Sequence, residues 1–261
     1  MFLSHYNLNG PKSTFHKIAV QAYICTLTFL RHLRCRPQVF QKGKGAGILV
    51  HMTIKKFGQC CLLITTNGIT ILTDPGSYST MQNDAAGIDI ILITHEHQDH
   101  FHLESVKKVL ANNPNAKIIT NASVGKLLDA ENIPYEVVAE GGKSDAHGVL
   151  VEGYGHKHAE IYKELGQVEN TSYFIDGKLF YPGDAFMNPD RAVDILALPV
   201  AGPWMKISEA INYAFALKPR IAFPVHDAIM KQSGFMHGMY QKILSESIDF
   251  VPMAEEDEKE F

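Results

Sequence analysis

Several features that would place the chain in a specialised class of protein are scarce or missing. Only four cysteines occur in 261 residues, and two of them are the neighbours Cys60 and Cys61. A disulfide scaffold needs a denser set of cysteines, so the sequence favours a reducing, cytoplasmic location. No run of 18 apolar residues occurs, which excludes an ordinary transmembrane helix. With 46% apolar and 20% charged residues, the composition also excludes intrinsic disorder, collagen and coiled coil.

Acidic residues are missing from the first 51 positions, which carry seven lysines and arginines. The other 210 residues carry 17 basic and 28 acidic side chains, a net charge of −11. An acidic body disfavours a nucleic-acid partner, because phosphate binding needs a basic surface. We therefore expect a small-molecule substrate and no nucleic-acid partner, while homo-oligomerisation stays open.

The first 51 residues also differ in pattern from the rest of the chain. They contain a 13-residue apolar stretch from Ile18 to Leu30, too short to span a bilayer comfortably. We predict that 1–51 is an N-terminal extension outside the fold and that 52–261 is the functional domain. Translation starting at Met52 is the explanation that we favour for the extension. A targeting segment and a true appendage remain the alternatives.

Short strands and helices follow from Met52 onwards. Residues 89–94 are almost entirely apolar, as is typical of a strand buried on both faces. We expect Ser208 to cap a helix and residues 255–260 to be a solvated charged tail. Hairpins followed by alternating strands and helices predict a mixed α/β sandwich with helices outside two sheets. The predicted strands are 53–57, 61–65, 69–73, 89–94, 117–120, 149–154, 172–175, 178–181, 194–199 and 220–225, and the predicted helices are 103–111, 122–130, 208–217 and 235–245.

Four metal-binding residue types follow the buried strand directly, as His95, His97, Asp99 and His100. Side chains two residues apart on an extended segment point the same way, so His95 and His97 can bind one metal. Asp99 and His100 can point at a neighbouring site. Imidazole and carboxylate together suit Zn²⁺, Mn²⁺ or Fe²⁺. In α/β proteins ligands gather at the carboxyl ends of strands, so the sequence predicts a metal site here.

This His-x-His-x-Asp-His motif resembles the signature of the metallo-β-lactamase superfamily. The resemblance implies an αββα sandwich of two mixed β-sheets flanked by helices, with a two-metal site. Further elements of the family pattern follow in order. Asp74 ends an early strand and would buttress the metal loop, and Gly155-His156-Lys157-His158-Ala159 offers a third histidine. Asp184 follows Tyr181-Pro182-Gly183, and His226 ends a late strand.

The resemblance implies a complete set of metal ligands. Between His156 and His158 we favour His158, because a small residue follows it. The implied ligands are His95, His97 and His158 for the first metal, Asp99, His100 and His226 for the second, and Asp184 as the bridge. Asp99 would also take or relay a proton. The implied cofactors are two divalent metal ions, zinc in preference to manganese or iron.

The implied activity is that of a metal-dependent hydrolase that activates water for attack on an ester, lactone, amide or phosphodiester bond. Within the superfamily the chain is most similar to the branch of ascorbate-6-phosphate lactonase, through Gly183-Asp184-Ala185, the stretch 199–204 and Pro224-x-His226. A nuclease or phosphodiesterase on the same fold is one alternative. A non-catalytic metal-binding or regulatory protein is another, although no ligand is missing. A diiron redox protein would normally carry a carboxylate in place of His97 and a flavin domain, and both are absent from the sequence.

Overall fold

Two seven-stranded mixed sheets run through residues 51–261, the part of the chain that the computed structural model describes. The expectation about residues 1–51 lies outside the described residues, apart from His51. The elements in chain order are β1 (Met52–Gly58), β2 (Cys61–Thr66), β3 (Ile69–Thr73), a 3₁₀ turn (Met81–Asp84), β4 (Ile90–Leu92), α1 (Leu103–Asn112), β5 (Lys117–Thr120), α2 (Ala122–Asp129), β6 (Glu136–Val137), β7 (Lys143–Ala146), β8 (Val149–Tyr154), β9 (Ser172–Ile175), β10 (Leu179–Tyr181), β11 (Ile195–Pro199), α3 (Ile207–Leu217), β12 (Ile221–Val225), α4 (Ser233–Leu244), β13 (Asp249–Phe250) and β14 (Glu258–Glu260).

Each sheet is antiparallel in one half and parallel in the other. The first has the order β14-β1-β2-β3-β4-β5-β6, antiparallel up to β3 and parallel from β3 to β6. The second has the order β13-β12-β11-β10-β9-β8-β7, parallel from β13 to β10 and antiparallel from β10 to β7. The parallel halves bring the carboxyl ends of their strands to one edge, where the loops that carry polar side chains leave the sheets.

The core lies in three layers, because the central strands are buried on both faces. In β4 and just beyond it, Ile90 and Leu92 face the core between the two sheets, whereas Ile91 and Ile93 pack against α1 and α2. On the other side, apolar residues of the second sheet pack against α3 and α4. The order of layers is therefore helix, sheet, sheet, helix, and the predicted αββα sandwich is confirmed.

The charged tail predicted at 255–260 is wrong in part, because Glu258–Glu260 form β14. This strand pairs antiparallel with β1, with Thr53 opposite Glu260. Without β14, the backbone groups of β1 would form an open sheet edge. The following Phe261 packs against the core between the sheets. The polar sequence of β14 carries no apolar pattern, so its pairing depends on backbone hydrogen bonds to a strand about 200 positions earlier in the chain.

The cap predicted at Ser208 is also wrong. Helix α3 begins at Ile207 with Lys206 in the capping position. The carboxylate of Glu209 accepts a hydrogen bond from the Lys206 backbone N–H at 2.6 Å, which satisfies an amide at the start of the helix. No helix in residues 51–261 has the length and hydropathy needed to cross a bilayer.

Candidate metal centre

Four loops at the carboxyl edges of the strands carry the predicted ligands. The His-x-His-x-Asp-His loop follows β4, and the loops after β8, β10 and β12 carry His158, Asp184 and His226. Because parallel strands end at the same edge of a sheet, residues up to 131 positions apart meet there. The cluster is mostly buried, with His95 and His100 fully inaccessible and His158, Asp184 and His226 at 3% exposure or less.

The ligand atoms form two adjacent groups. In the first, one atom each from His95, His97, His158 and Asp184 lie within 4.8 Å of one another. In the second, the same holds for Asp99, His100 and His226.

The Asp184 carboxylate contacts both groups. Its Oδ1 lies 3.1 Å from His100 Nε2, and its Oδ2 lies 3.0 Å from His226 Nε2 and 3.3 Å from His158 Nε2. The Asp184 carboxylate therefore lies between the two groups of ligand atoms.

Unpartnered buried atoms show that this cluster fits metal ions. Within residues 51–261, the Nε2 atoms of His95, His100, His158 and His226 and the Oδ1 atom of Asp184 are buried and make no hydrogen bond of normal geometry; the short contacts that Asp184 makes are with the other ligand atoms. Burying such atoms without partners costs about 1–3 kcal/mol each. Two ligands of a tetrahedral zinc ion lie about 3.3 Å apart, given bonds of about 2.0–2.1 Å. The 3.0–3.3 Å spacings around Asp184 match this separation, so the donor set fits divalent cations.

The electrostatics of the cluster also favour cations. Burial and the nearby His100 lower the pKa of His95 well below its ordinary value, so its ring is neutral, the form that binds a metal. Burial alone would raise the pKa of Asp184, but the positive charges of His226 and His100 outweigh it and hold that pKa well below the ordinary range. A buried carboxylate that stays ionised requires positive charge beside it.

Asp74 supports the centre from behind, as the resemblance led us to expect. It is fully buried, and its carboxylate accepts hydrogen bonds from the backbone N–H and the hydroxyl of Thr94, both at 2.8 Å. It also contacts His100 Nδ1 and the hydroxyl of Tyr181, both at 2.7 Å. The contact with His100 directs the Nε2 atom of that ring toward Asp184. Partners of this kind fix the orientation of a ligating histidine.

Gln59 connects the two sides of the second group and was missed by the sequence reasoning. Its side-chain Nε2 donates to Asp99 Oδ2 at 2.9 Å, and its Oε1 accepts from the Ala228 backbone N–H at 3.0 Å. Its backbone carbonyl accepts from the N–H of His226 at 3.1 Å. Gln59 is 1% exposed, although a polar residue in the turn between β1 and β2 gives no signal of burial.

Trp204 ends the stretch 199–204 and is buried, with 7% of its surface exposed. Its indole Nε1 also donates to Asp184 Oδ2 at 2.8 Å, so it orients the carboxylate that lies between the two groups. Cys60, one of the two neighbouring cysteines, lies in the turn before β2. It is buried, and its thiol also lies within 4.8 Å of ligand atoms of His100 and Asp184. Burial raises the pKa of the Cys60 thiol.

A buried ion pair anchors the loop that carries His226. Lys56 is 1% exposed, and its ammonium donates to both oxygens of Asp227 at 2.7 Å and to two backbone carbonyls. Asp227 also contacts His237 Nε2 at 2.9 Å. The sequence assigned no role to Lys56 or His237. They hold in place Asp227, the residue next to His226. The backbone of His226 itself has a left-handed φ of 63°.

Three polar residues near the motifs lie outside the cluster. His156 is exposed, and its Nδ1 lies 2.8 Å from Glu140, whereas His158 lies in the first group. Glu96 turns away from the cluster to contact the Ser123 hydroxyl. Gln98 is exposed. The positions of Glu96 and Gln98 agree with the alternation expected along the loop after β4.

Comparison with known proteins identifies similar chains. A family model of the beta-lactamase superfamily domain matches residues 53–226. Protein Rv0786c of Mycobacterium tuberculosis is 35% identical over 212 residues, which cover 78% of this chain and 98% of that protein. A UPF0173 protein of Pyrococcus abyssi is 30% identical over 185 residues, which cover 67% of this chain and 83% of that protein. Among solved structures, a Parabacteroides distasonis protein described as a metal-dependent hydrolase has a TM-score of 0.66 at 25% identity, covering 80% of this chain and 94% of that one.

Proposed function

Because the chain belongs to the metallo-β-lactamase superfamily of metal-dependent hydrolases, we propose that it holds two divalent cations and hydrolyses an ester, lactone, amide or phosphodiester bond. The observation that carries the proposal is the contact of the Asp184 carboxylate with histidines of both ligand groups. Zinc suits this set of nitrogen and carboxylate ligands, with manganese or iron as the alternatives. The similarity to the lactonase branch of the superfamily stays a prediction.

The ligands divide between the two cations as the groups do. His95, His97 and His158 would hold the first cation, Asp99, His100 and His226 would hold the second, and the Asp184 carboxylate would be shared between them. When bound, the cations lower the pKa of a water molecule toward neutrality and polarise the carbonyl or phosphoryl oxygen of the substrate.

Asp99 is the residue that we place in the proton transfer. Its side chain is 18% exposed and lines the opening above the ligands, whereas His95 and His100 are fully buried. The hydrogen bond from Gln59 to Oδ2 fixes the orientation of the carboxylate. In hydrolysis a water oxygen forms the new bond to the acyl carbon or phosphorus, and the bond to the leaving group breaks. Asp99 accepts the proton that the water loses and delivers it to the leaving group.

The test combines elemental analysis of the purified protein with a hydrolysis screen over lactones, phosphodiesters and thioesters. Asp184→Ala is expected to lose both the metal and the activity. His158→Ala should lower metal occupancy, and the matched variant His156→Ala should keep the metal. Metal retained in Asp184→Ala, or lost equally in the two histidine variants, would contradict the assignment.

Gel mobility of RNA and single-stranded DNA with the protein tests the nuclease alternative. The acidic body predicts no shift.

A further inference from the structure

The candidate metal centre opens into a pocket of about 150 Å³. Ligand residues form its floor. Large apolar side chains form the walls, with contributions from four separate loops. The floor residues are His97, Asp99, His158, Asp184 and His226, and the wall residues are Tyr78, Ile161, Pro203, Trp204 and Ile229.

The apolar walls extend outward to the surface of the protein. Tyr78 is 53% exposed and Ile229 is 49% exposed, so much of their apolar surface stays in contact with water. Tyr162 and Leu165 follow Ile161 in the same loop and are 63% and 66% exposed. Single exposed apolar residues are ordinary on protein surfaces, but a cluster of them around a concave site marks a binding surface.

The pocket lining provides no cationic side chain for an anionic group, and the lysine of the outer loop, Lys163, lies over the ring of Tyr162. Among the described residues that line the pocket, none is a lysine or arginine, and the histidines and aspartates are all candidate metal ligands. A phosphate or carboxylate on the part of the substrate beyond the scissile bond would lose water there without gaining a cationic partner. An uncharged apolar group would bury surface against the walls with a favourable free energy.

We propose that this pocket binds the acyl group of carboxylic esters or lactones in which that group is uncharged and apolar. The inference rests on the proposed hydrolysis at the two-cation centre, and it specifies the chemistry of the acyl group. The carbonyl lies over the ligand floor, and the acyl chain lies against Tyr78, Ile161 and Ile229. Water adds to the acyl carbon, the bond to the alkoxide oxygen breaks, and the proton from water goes to that oxygen.

A series of p-nitrophenyl esters from acetate to hexanoate tests the preference with the zinc-loaded, full-length protein. Each methylene buried on the wall should raise kcat/KM about fourfold, so butyrate should exceed acetate by about 15-fold. Ile229→Ser should lower the ratio of kcat/KM for hexanoate and acetate by about threefold or more. The matched control is Ile243→Ser, because Ile243 is 40% exposed on α4 and does not line the pocket. A flat series, or equal effects of the two serine variants, would overturn the proposal.

A binding measurement separates this proposal from the proposed hydrolysis. Calorimetric titration of the zinc-loaded protein with acetate, butyrate, hexanoate and succinate reports affinity without turnover. The carboxylate of each can occupy the floor, and the rest of the molecule lies along the wall. Affinity should rise from acetate to hexanoate, and succinate, with its second charge, should bind more weakly than butyrate.

Failure of the proposed hydrolysis and failure of the pocket proposal would give different results. Rising affinity with no hydrolysis of any ester would refute the proposed reaction and support the apolar pocket. Ester hydrolysis without any dependence on chain length, or with succinate bound as tightly as butyrate, would refute the pocket proposal and keep the reaction.

Discussion

Gln59 provides the sharpest test of how the fold holds the second ligand group. Its side chain makes two partly buried hydrogen bonds, one to the Asp99 carboxylate and one from the Ala228 backbone N–H. A hydrogen bond to a charged group contributes about 1.5–3 kcal/mol, and a neutral one about 0.5–1.5 kcal/mol. Gln59→Leu, which conserves approximate size, should therefore lower the free energy of unfolding by about 3 kcal/mol. In a domain of this size that lowers Tm by about 6–12 °C.

The effect on metal binding should be confined to one site. Asp99 belongs to the second group, whereas His95, His97 and His158 make no hydrogen bond with the Gln59 side chain. Loss of a partner that orients a ligand typically lowers metal affinity by 10–100-fold. We expect Gln59→Leu to keep one tightly bound zinc per chain and to weaken the other by that factor, as measured by titration against a competing chelator.

The matched control is Gln82→Leu. Gln82 is also fully buried, and its Nε2 donates two hydrogen bonds, to the carbonyls of Gly76 and Ser79. It should lose comparable stability while keeping both affinities. Equal weakening of both zinc ions in Gln59→Leu, or the same change in metal affinity in both variants, would refute the account.

Three further variants test two other contacts and the need for the first 51 residues. Trp204→Phe removes the indole hydrogen bond to the Asp184 carboxylate, so total metal affinity should fall by about 10–100-fold while circular dichroism stays unchanged; unaltered affinity would contradict this role. Lys56→Met leaves the buried charge of Asp227 without its cation, so denaturant unfolding should show a loss of about 3–5 kcal/mol, against less than about 1 kcal/mol for Lys55→Met. A truncated protein of residues 52–261 should fold, bind two metals and keep full activity, and an insoluble or metal-free product would show that the first 51 residues are needed.

The elements that the sequence predicted well are those whose own residues carry a recognisable apolar pattern. In β4, Ile90, Ile91 and Leu92 are apolar because the strand is buried on both faces, and this is visible without any partner strand. Strand β14 is different, because Glu258–Glu260 alternate in charge and pair through backbone hydrogen bonds with β1. Local pattern cannot show a pairing that depends on a strand far away in the chain.

The candidate site likewise contains residues that local pattern predicts and residues that it does not. His95, His97, Asp99 and His100 stand within six residues, so the spacing itself predicted a metal site. Supporting contacts reach much further. Gln59 contacts a residue 40 positions away, and Lys56 one 171 positions away. A glutamine in a turn or a lysine in a strand is normally solvated, so their buried roles emerge only from the three-dimensional arrangement.

The number of metal ions per chain tests the central claim most directly. The full-length protein, purified without chelator after growth with zinc and manganese, should contain two divalent ions per chain by elemental analysis. Asp99→Ala removes a ligand of the second group alone, so its content should fall to one. A wild-type content that saturates at one or less under zinc excess, or an Asp99→Ala protein that loses both ions, would contradict the two-cation centre.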